Sequence, residues 1–168
     1  WDAAAWGNVI IATNYLDAPL KSSTKGGALT SLGGTPPKAR YIAVNQNFVM
    51  LADTDDSVSG IDDSGTYPDM VWWSGISNHE SWAASVATQA GNVRLLDTPG
   101  PIVKLVAFRD KFVAFKANSI YVGEYIGPPL LFAWRLVSSR VGLSASEGVC
   151  ELDSRLYFVH DSGFYEFD

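Results

Sequence analysis

The chain has 168 residues, of which 47% are apolar, 12% aromatic and 18% charged, and it contains one cysteine. This composition excludes an intrinsically disordered chain and a disulfide-stapled scaffold, and the length fits one domain or a large piece of one. The formal net charge of −6 argues against specific nucleic-acid binding and against binding to an anionic membrane. The longest apolar runs have four or five residues, whereas a helix needs about 20 to span a bilayer.

Short apolar runs, rich in Val, Ile, Phe, Tyr and Trp, alternate with Gly, Pro, Asn, Asp and Ser. This pattern predicts an all-β protein built from many short strands. A short opening strand is expected within residues 1–6, and residues 80–90 fit either a helical turn or two or an irregular segment. The other predicted strands are residues 8–13, 19–22, 39–44, 48–52, 70–74, 102–108, 111–116, 119–124, 131–137, 148–152, 155–160 and 163–167.

The strand pattern repeats along the chain. Aligning the repeats on their apolar residues makes Val9, Phe48, Phe112 and Leu156 equivalent, at intervals of 39, 64 and 44 residues. The long interval contains an Asp-rich insertion. A period of about 40 to 50 residues with three or four strands per repeat is typical of a β-propeller.

The predicted fold is therefore an all-β propeller of about four antiparallel blades, approximately residues 1–37, 38–98, 99–143 and 144–168. A β-sandwich or barrel built from hairpins is the alternative. The last unit stops after its third strand, and the chain begins with Trp1. We therefore expect either a ring that the N-terminal strand closes or a fragment of a larger propeller.

No residue pattern predicts an enzyme, a cofactor or a metal site. The Asp-rich stretch over residues 53–63 departs from a calcium loop at its glycine and glutamate positions, so a solvated insertion is favoured over a weak cation site. His79 and His160 are the only histidines, which excludes a multi-histidine metal site. Cys150 lies in a predicted strand beside Glu151 and is expected to be a small buried apolar residue.

Three tryptophans form the candidate contact surface: Trp72, Trp73 and Trp82. Because successive side chains of a strand point to opposite faces, Trp72 and Trp73 cannot share a face. We expect one of them in the core between blades and the other towards a neighbouring blade or a partner. Core packing is the default role for such residues, and an aromatic contact patch is the alternative.

A series of short segments in a fixed order resembles the propeller-forming virion proteins of tailed bacteriophages, of the tail hub, nozzle or DNA-stabilising stopper type. The resemblance covers nearly the whole chain. Its segments are residues 11–14 (IATN), 39–44 (ARYIAV), 71–82 (VWWSGISNHESW), 89–91 (QAG), 101–103 (PIV), 115–121 (FKANSIY), 127–129 (GPP), 132–135 (FAWR), 141–142 (VG) and 161–165 (DSGFY).

The resemblance implies a non-catalytic structural module in a phage tail or neck, which lines or closes the DNA channel. Its expected partners are other virion proteins and further copies in a homo-oligomeric ring on the tail axis, and its expected location is the virion. Two alternatives stay open. A propeller that binds or cleaves glycans would need carboxylates beside the three tryptophans. A kelch-like or WD-like interaction scaffold would normally carry repeat dipeptides that this sequence lacks.

Overall fold

The computed structural model describes residues 1–24, 26–55 and 65–168. In this part of the chain there are fifteen strands and no helix, as the all-β prediction requires. All of the predicted strands are confirmed, and residues 80–90 contain turns and one isolated bridge, between Ala84 and Ala90. The strands are β1 (Asp2–Trp6), β2 (Val9–Thr13), β3 (Leu20–Ser22), β4 (Thr30–Ser31), β5 (Lys38–Asn45), β6 (Phe48–Asp55), β7 (Thr66–Trp73), β8 (Gly91–Arg94), β9 (Ile102–Phe108), β10 (Lys111–Lys116), β11 (Ile120–Gly127), β12 (Leu131–Ser138), β13 (Val149–Leu152), β14 (Arg155–His160) and β15 (Gly163–Phe167).

The described strands form four antiparallel sheets, and in each sheet the strands lie in chain order. The first sheet contains β1–β4, the second β5–β8, the third β9–β12 and the fourth β13–β15. Each sheet is thus a meander of consecutive strands. Its connections range from two-residue hairpin turns to the long segment, residues 74–90, that joins β7 to β8. The tight hairpins link antiparallel neighbours directly.

The first hairpin of every sheet has a two-residue turn. The residues that pair on either side of it are Trp6 with Val9, Asn45 with Phe48, Phe108 with Lys111, and Leu152 with Arg155. The structurally equivalent positions are therefore Val9, Phe48, Lys111 and Arg155, at intervals of 39, 63 and 44 residues. Phe112 and Leu156 are equivalent to each other, but their predicted equivalence to Val9 and Phe48 was wrong by one residue. A shift of one residue matters because it moves every side chain to the other face of the sheet.

The chain divides into two compact units, Trp1–Arg94 and Leu95–Asp168. Unit 1 contains the first two sheets, which share one apolar core; unit 2 contains the last two, which share another. The core of unit 1 includes Ile11, Leu32, Ala39, Ile42, Val49, Leu51, Met70, Trp72 and Trp82. The core of unit 2 includes Phe108, Val113, Phe115, Ile120, Val122, Leu143, Leu156 and Phe158.

The second strand of the second sheet is buried on both faces. Val49 and Leu51 belong to the core of unit 1, and the alternating Phe48 and Met50 point to the opposite face, yet all four are fully buried. Strand β10 of the third sheet is also almost entirely buried. Burial on both faces explains why both strands appear in the sequence as continuous apolar runs rather than as alternating patterns.

Candidate functional site

Trp72 and Trp73 lie side by side at the end of β7 and point to opposite faces of the second sheet, as expected from strand geometry. Trp72 is 1% exposed and belongs to the core of unit 1, where its indole N–H lies 3.0 Å from the sulfur of Met70. Trp73 is 4% exposed, and its indole N–H donates to the carbonyl oxygen of Gln89 at 3.1 Å. Both rings are therefore used in packing.

Trp82 joins Trp72 in the core of unit 1 although it follows the sheet's third strand in an irregular segment. It is 3% exposed, and its indole N–H donates to the carbonyl oxygen of His79 at 3.0 Å. Trp82 also lies close to Gly34, where an added Cβ would be 1.7 Å from the carbonyl oxygen of Glu80. The three candidate tryptophans thus hold residues 74–90 against the sheets of unit 1.

His79 is part of this segment, and its ring lies 5.7 Å from the ring of Trp6. Its Nε2 is buried and has no hydrogen-bond partner among the described residues. Burial lowers the pKa of His79, because the charged imidazolium loses hydration, while the nearby carboxylate of Glu80 acts in the opposite direction. Glu80 itself is paired with Lys21 at 2.7 Å.

The Asp-rich stretch begins at a residue that already has a structural role. Asp53 lies at an irregularity of β6 with a φ of 54°, is 5% exposed, and its Oδ2 is 2.6 Å from Nε of Arg40. Burial raises the pKa of Asp53, and the hydrogen bond from Arg40 partly offsets this effect. Residues 56–63 of the Asp-rich stretch lie outside the described residues, and so does the weak cation site considered there.

His160 forms a small polar network at the turn between β14 and β15. Its Nδ1 lies 2.7 Å from the hydroxyl of Ser162, its Nε2 lies 3.2 Å from Oδ1 of Asn118, and the Ser162 hydroxyl also contacts the Tyr165 hydroxyl at 2.8 Å. Serine, histidine and an orienting amide are also the components of an activated nucleophile. In this turn, however, the backbone N–H of Ser162 donates to Nδ1 at 3.3 Å as well. We therefore interpret the network as structural, because it closes the hairpin turn.

An exposed apolar surface of unit 2 lies on the fourth sheet. We call it the fourth-sheet outward face, because it is the face opposite the core of unit 2; register places Cys150, Leu152, Tyr157, Val159 and Phe164 on it. Phe164 is 88% exposed and Leu152 is 60% exposed. A groove of about 290 Å³ runs along this face and is lined by Cys150, Tyr157, Val159 and Phe164 among others. The expectation that Cys150 is buried was wrong, because its side chain points to this exposed face.

A matching surface exists on the first sheet. The first-sheet outward face, opposite the core of unit 1, carries Ala3, Ala5, Ile10, Ala12 and Leu20 in register on three strands. Ile10 is 48% exposed, and Ala3 and Ala5 are exposed as well. Sequence patterning missed both outward faces, since an exposed apolar residue and a buried one look alike in a strand that alternates only weakly.

No protein-family model matches this chain, and no curated protein matches it. Within the described part of the chain, no helix is long and apolar enough to cross a membrane. The same residues contain no group of three or more His, Cys, Asp or Glu side chains placed to hold a metal ion.

Proposed function

We propose that this protein is a non-catalytic assembly module whose four sheets are blades of a β-propeller. One observation carries the proposal: four meanders follow one another along the chain, and in each unit one meander packs an apolar face on the next. A single meander cannot bury both of its faces, and stacking solves this problem for every sheet that has two neighbours. The radial arrangement of the blades is part of the proposal.

The strand order favours a propeller over a β-sandwich. In a sandwich with Greek-key connections, the chain crosses repeatedly between two sheets, so neighbours in a sheet are often distant in sequence. Here every described sheet uses only consecutive strands. The same two-residue turn also opens each sheet, at positions spaced by 39, 63 and 44 residues. Repetition of one supersecondary unit is the property that defines propellers.

We place the module in the neck or tail of a tailed bacteriophage, where it lines or closes the DNA channel. The support is the ordered series of segments that resembles propeller-forming virion proteins, together with the net charge of −6. An acidic wall repels DNA and lets it slide, whereas a basic wall would hold it by counterion release. Its partners in this proposal are other tail or neck proteins and further copies in a ring, without specific nucleic-acid or membrane binding.

The burial of the tryptophans weighs against the glycan-binding alternative. Sugar rings stack on exposed aromatic faces, but Trp72, Trp73 and Trp82 are all at most 4% exposed. Their indole N–H groups are also oriented towards acceptors inside unit 1. A kelch-like or WD-like scaffold would use the same architecture, and the phage role is preferred over it on the resemblance alone.

Immunogold electron microscopy tests the location. Antibodies raised against this chain are applied to tailed particles prepared from the strain that carries the gene. We expect gold at the neck or along the tail axis, and preimmune serum on the same grid serves as the control. Labelling confined to the head, or particles that lack the chain altogether, would contradict the proposed role.

The gene neighbourhood tests the functional class independently. Portal, terminase or capsid genes beside this gene are expected if the module belongs to a virion. A cluster of polysaccharide-utilisation genes would instead favour the glycan-binding alternative. A crystal structure with fewer than three radially arranged sheets would refute the propeller.

A further inference from the structure

The fourth-sheet outward face carries large exposed apolar side chains beside one ion pair, between Arg155 and Glu166. Phe164, Leu152 and Val159 are 88%, 60% and 37% exposed, and Tyr157 lies half-buried between them. All four side chains are in register on three adjacent strands, and Tyr157, Val159 and Phe164 line the 290 Å³ groove. A contiguous apolar patch of this kind on a monomer usually marks an interaction site.

The position of a residue after the first hairpin turn determines which face of the sheet it lies on. It can therefore be used to tell whether that face packs against the preceding or the following sheet. The second residue after the turn is Val49 in the second sheet and Leu156 in the fourth, and both pack against the sheet that precedes theirs. The corresponding residue of the first sheet is Ile10, which is 48% exposed. The first-sheet outward face is therefore the face that, in the second and fourth sheets, packs against the preceding sheet.

The third residue after the turn faces the other way. It is Ile11 in the first sheet and Val113 in the third, and both pack against the sheet that follows theirs. In the fourth sheet this position is occupied by Tyr157, on the exposed outward face. The two outward faces are therefore complementary in direction, one lacking a preceding sheet and the other a following one.

They are also complementary in size. The fourth-sheet outward face presents Phe164, Tyr157 and Leu152, whereas the first-sheet outward face presents Ala3 and Ala5 around Ile10. Large side chains that fit over small ones on the facing sheet give the interdigitation that sheet packing requires. The same chain thus supplies both halves of one sheet-on-sheet interface.

We propose that a second copy of this chain packs its first-sheet outward face on the fourth-sheet outward face. The inference rests on the propeller arrangement proposed above. The contact is heterologous, with different surfaces on the two copies, so repeated contacts continue head to tail and close into a ring when the rotation permits. Neighbouring copies would then extend the series of blades across the subunit boundary.

Complementing variants test this interface with purified full-length chain. Phe164→Glu places a charge on the fourth-sheet outward face, and Ile10→Glu places one on the first-sheet outward face. Val86→Glu is the matched control, since Val86 is 69% exposed and lies on neither face. Sedimentation velocity up to about 100 µM chain follows assembly, and circular dichroism verifies that each variant is folded.

We expect the wild type and Val86→Glu to associate with increasing concentration. Each of the other two variants alone should associate at least about tenfold more weakly. Their equimolar mixture should form heterodimers, because one variant keeps an intact fourth-sheet face and the other an intact first-sheet face. The mixture is informative because a self-complementary contact between two fourth-sheet faces would leave Ile10→Glu fully associated, with no gain on mixing.

A wild type that stays monomeric over the whole concentration range would overturn the proposal, as would unimpaired association of Ile10→Glu. Partial unfolding of Ile10→Glu does not affect the test, since Ala5→Glu supplies a second disruption on the same face. Either negative result is distinguishable from failure of the virion role, because immunogold labelling of particles does not depend on which surfaces the copies use.

Discussion

Lys116 is the most heavily buried charged side chain among the described residues, at 1% exposure. Its ammonium donates to the carbonyl oxygens of Leu95 and Thr98, both at 2.7 Å, and lies 5.6 Å from the ring centroid of Tyr121. The hydroxyl of Thr98 in turn contacts those of Ser119 and Tyr121. This lysine therefore fixes the segment that precedes β9 to the third sheet.

We expect Lys116→Met to lower the free energy of unfolding by about 2 kcal/mol or more, because two buried carbonyl oxygens lose their donor while the side-chain volume is retained. Urea unfolding followed by circular dichroism measures the change. Lys111→Met on the same strand is the control: its ion pair with Glu124 spans 3.6 Å on a partly exposed side chain, so the expected cost is about 0.5 kcal/mol. Equal costs for the two variants would show that the buried donor has no special role.

The histidine beside Trp6 makes stability depend on pH. Because burial lowers the pKa of His79 below its ordinary value of about 6.5, the unfolded chain binds the proton more readily than the folded chain. The contribution of His79 to stability is therefore complete above about pH 6.5 and is lost as the pH falls below it. Glu80 and Lys21, which lie near the ring, influence the pKa in opposite directions.

We expect the melting temperature of His79→Gln to fall less than that of the wild type between about pH 7.5 and pH 5.5. Differential scanning calorimetry at both pH values gives the two differences. His160→Gln removes the other histidine and should keep the wild-type difference. If His79→Gln falls as steeply as the wild type, the acid sensitivity arises elsewhere.

At the scale of the element, the second and third sheets each contain a contact between a tryptophan and a glycine on the neighbouring strand of the same sheet. Trp73 pairs with Gly91 between β7 and β8, and Trp134 pairs with Gly123 between β11 and β12. A Cβ added to Gly91 would lie 2.7 Å from the Trp73 ring, and one added to Gly123 would lie 2.6 Å from the Trp134 ring. The glycines therefore provide room for the indole to lie across the neighbouring strand.

Gly91→Ala should destabilise the protein by about 1 to 3 kcal/mol, because the Trp73 ring is buried and has little room to move. Thermal unfolding measures the loss. Gly65→Ala is the matched control, since an added Cβ there meets its nearest atom only at 3.6 Å. The control variant is expected to be as stable as the wild type or slightly more stable, because alanine reduces the freedom of the unfolded chain. A loss of the same size at both positions would contradict the explanation.

The strands that sequence patterning found are those with continuous or alternating apolar runs. The two that it missed lack this feature: β4 is the exposed pair Thr30–Ser31, and β8 contains Gly91, Asn92 and Arg94 within four residues. Pairing with a neighbouring strand defines them, and hydrophobicity does not. The one-residue error in the repeat alignment has a similar origin, because it was anchored on apolar residues when the shared feature is the turn.

The candidate site was only partly accessible from the sequence. The positions of Trp72 and Trp73 on opposite faces followed from strand geometry, and Trp82 was grouped with them by proximity in sequence. The burial of all three depends on residues 74–90, which fold back over the sheets of unit 1 without a periodic pattern. The exposure of Cys150 and Phe164 depends on which face of the fourth sheet has a neighbour, and local sequence does not encode this.

At the scale of the whole molecule, the net charge of −6 leads to a prediction about DNA. We expect no retardation of duplex DNA in a gel-shift assay, even at about 20 mM salt, where electrostatic binding is strongest. Lysozyme, a basic protein of similar size, is the positive control. Retardation that weakens steeply with added salt would show a basic surface that holds the phosphate backbone, which is incompatible with a wall along which DNA slides.

The tryptophans are distributed unequally between the two units. Trp1, Trp6, Trp72, Trp73 and Trp82 all belong to unit 1, and Trp134 alone belongs to unit 2. Intrinsic indole fluorescence will therefore report mainly on unit 1, with a blue-shifted component from the buried rings and a red-shifted one from Trp1, which is 76% exposed. Substituting Trp134 with phenylalanine would confine the signal to unit 1. A fluorophore on Cys150 would provide a separate signal from unit 2, so that the melting of each unit could be followed in one sample.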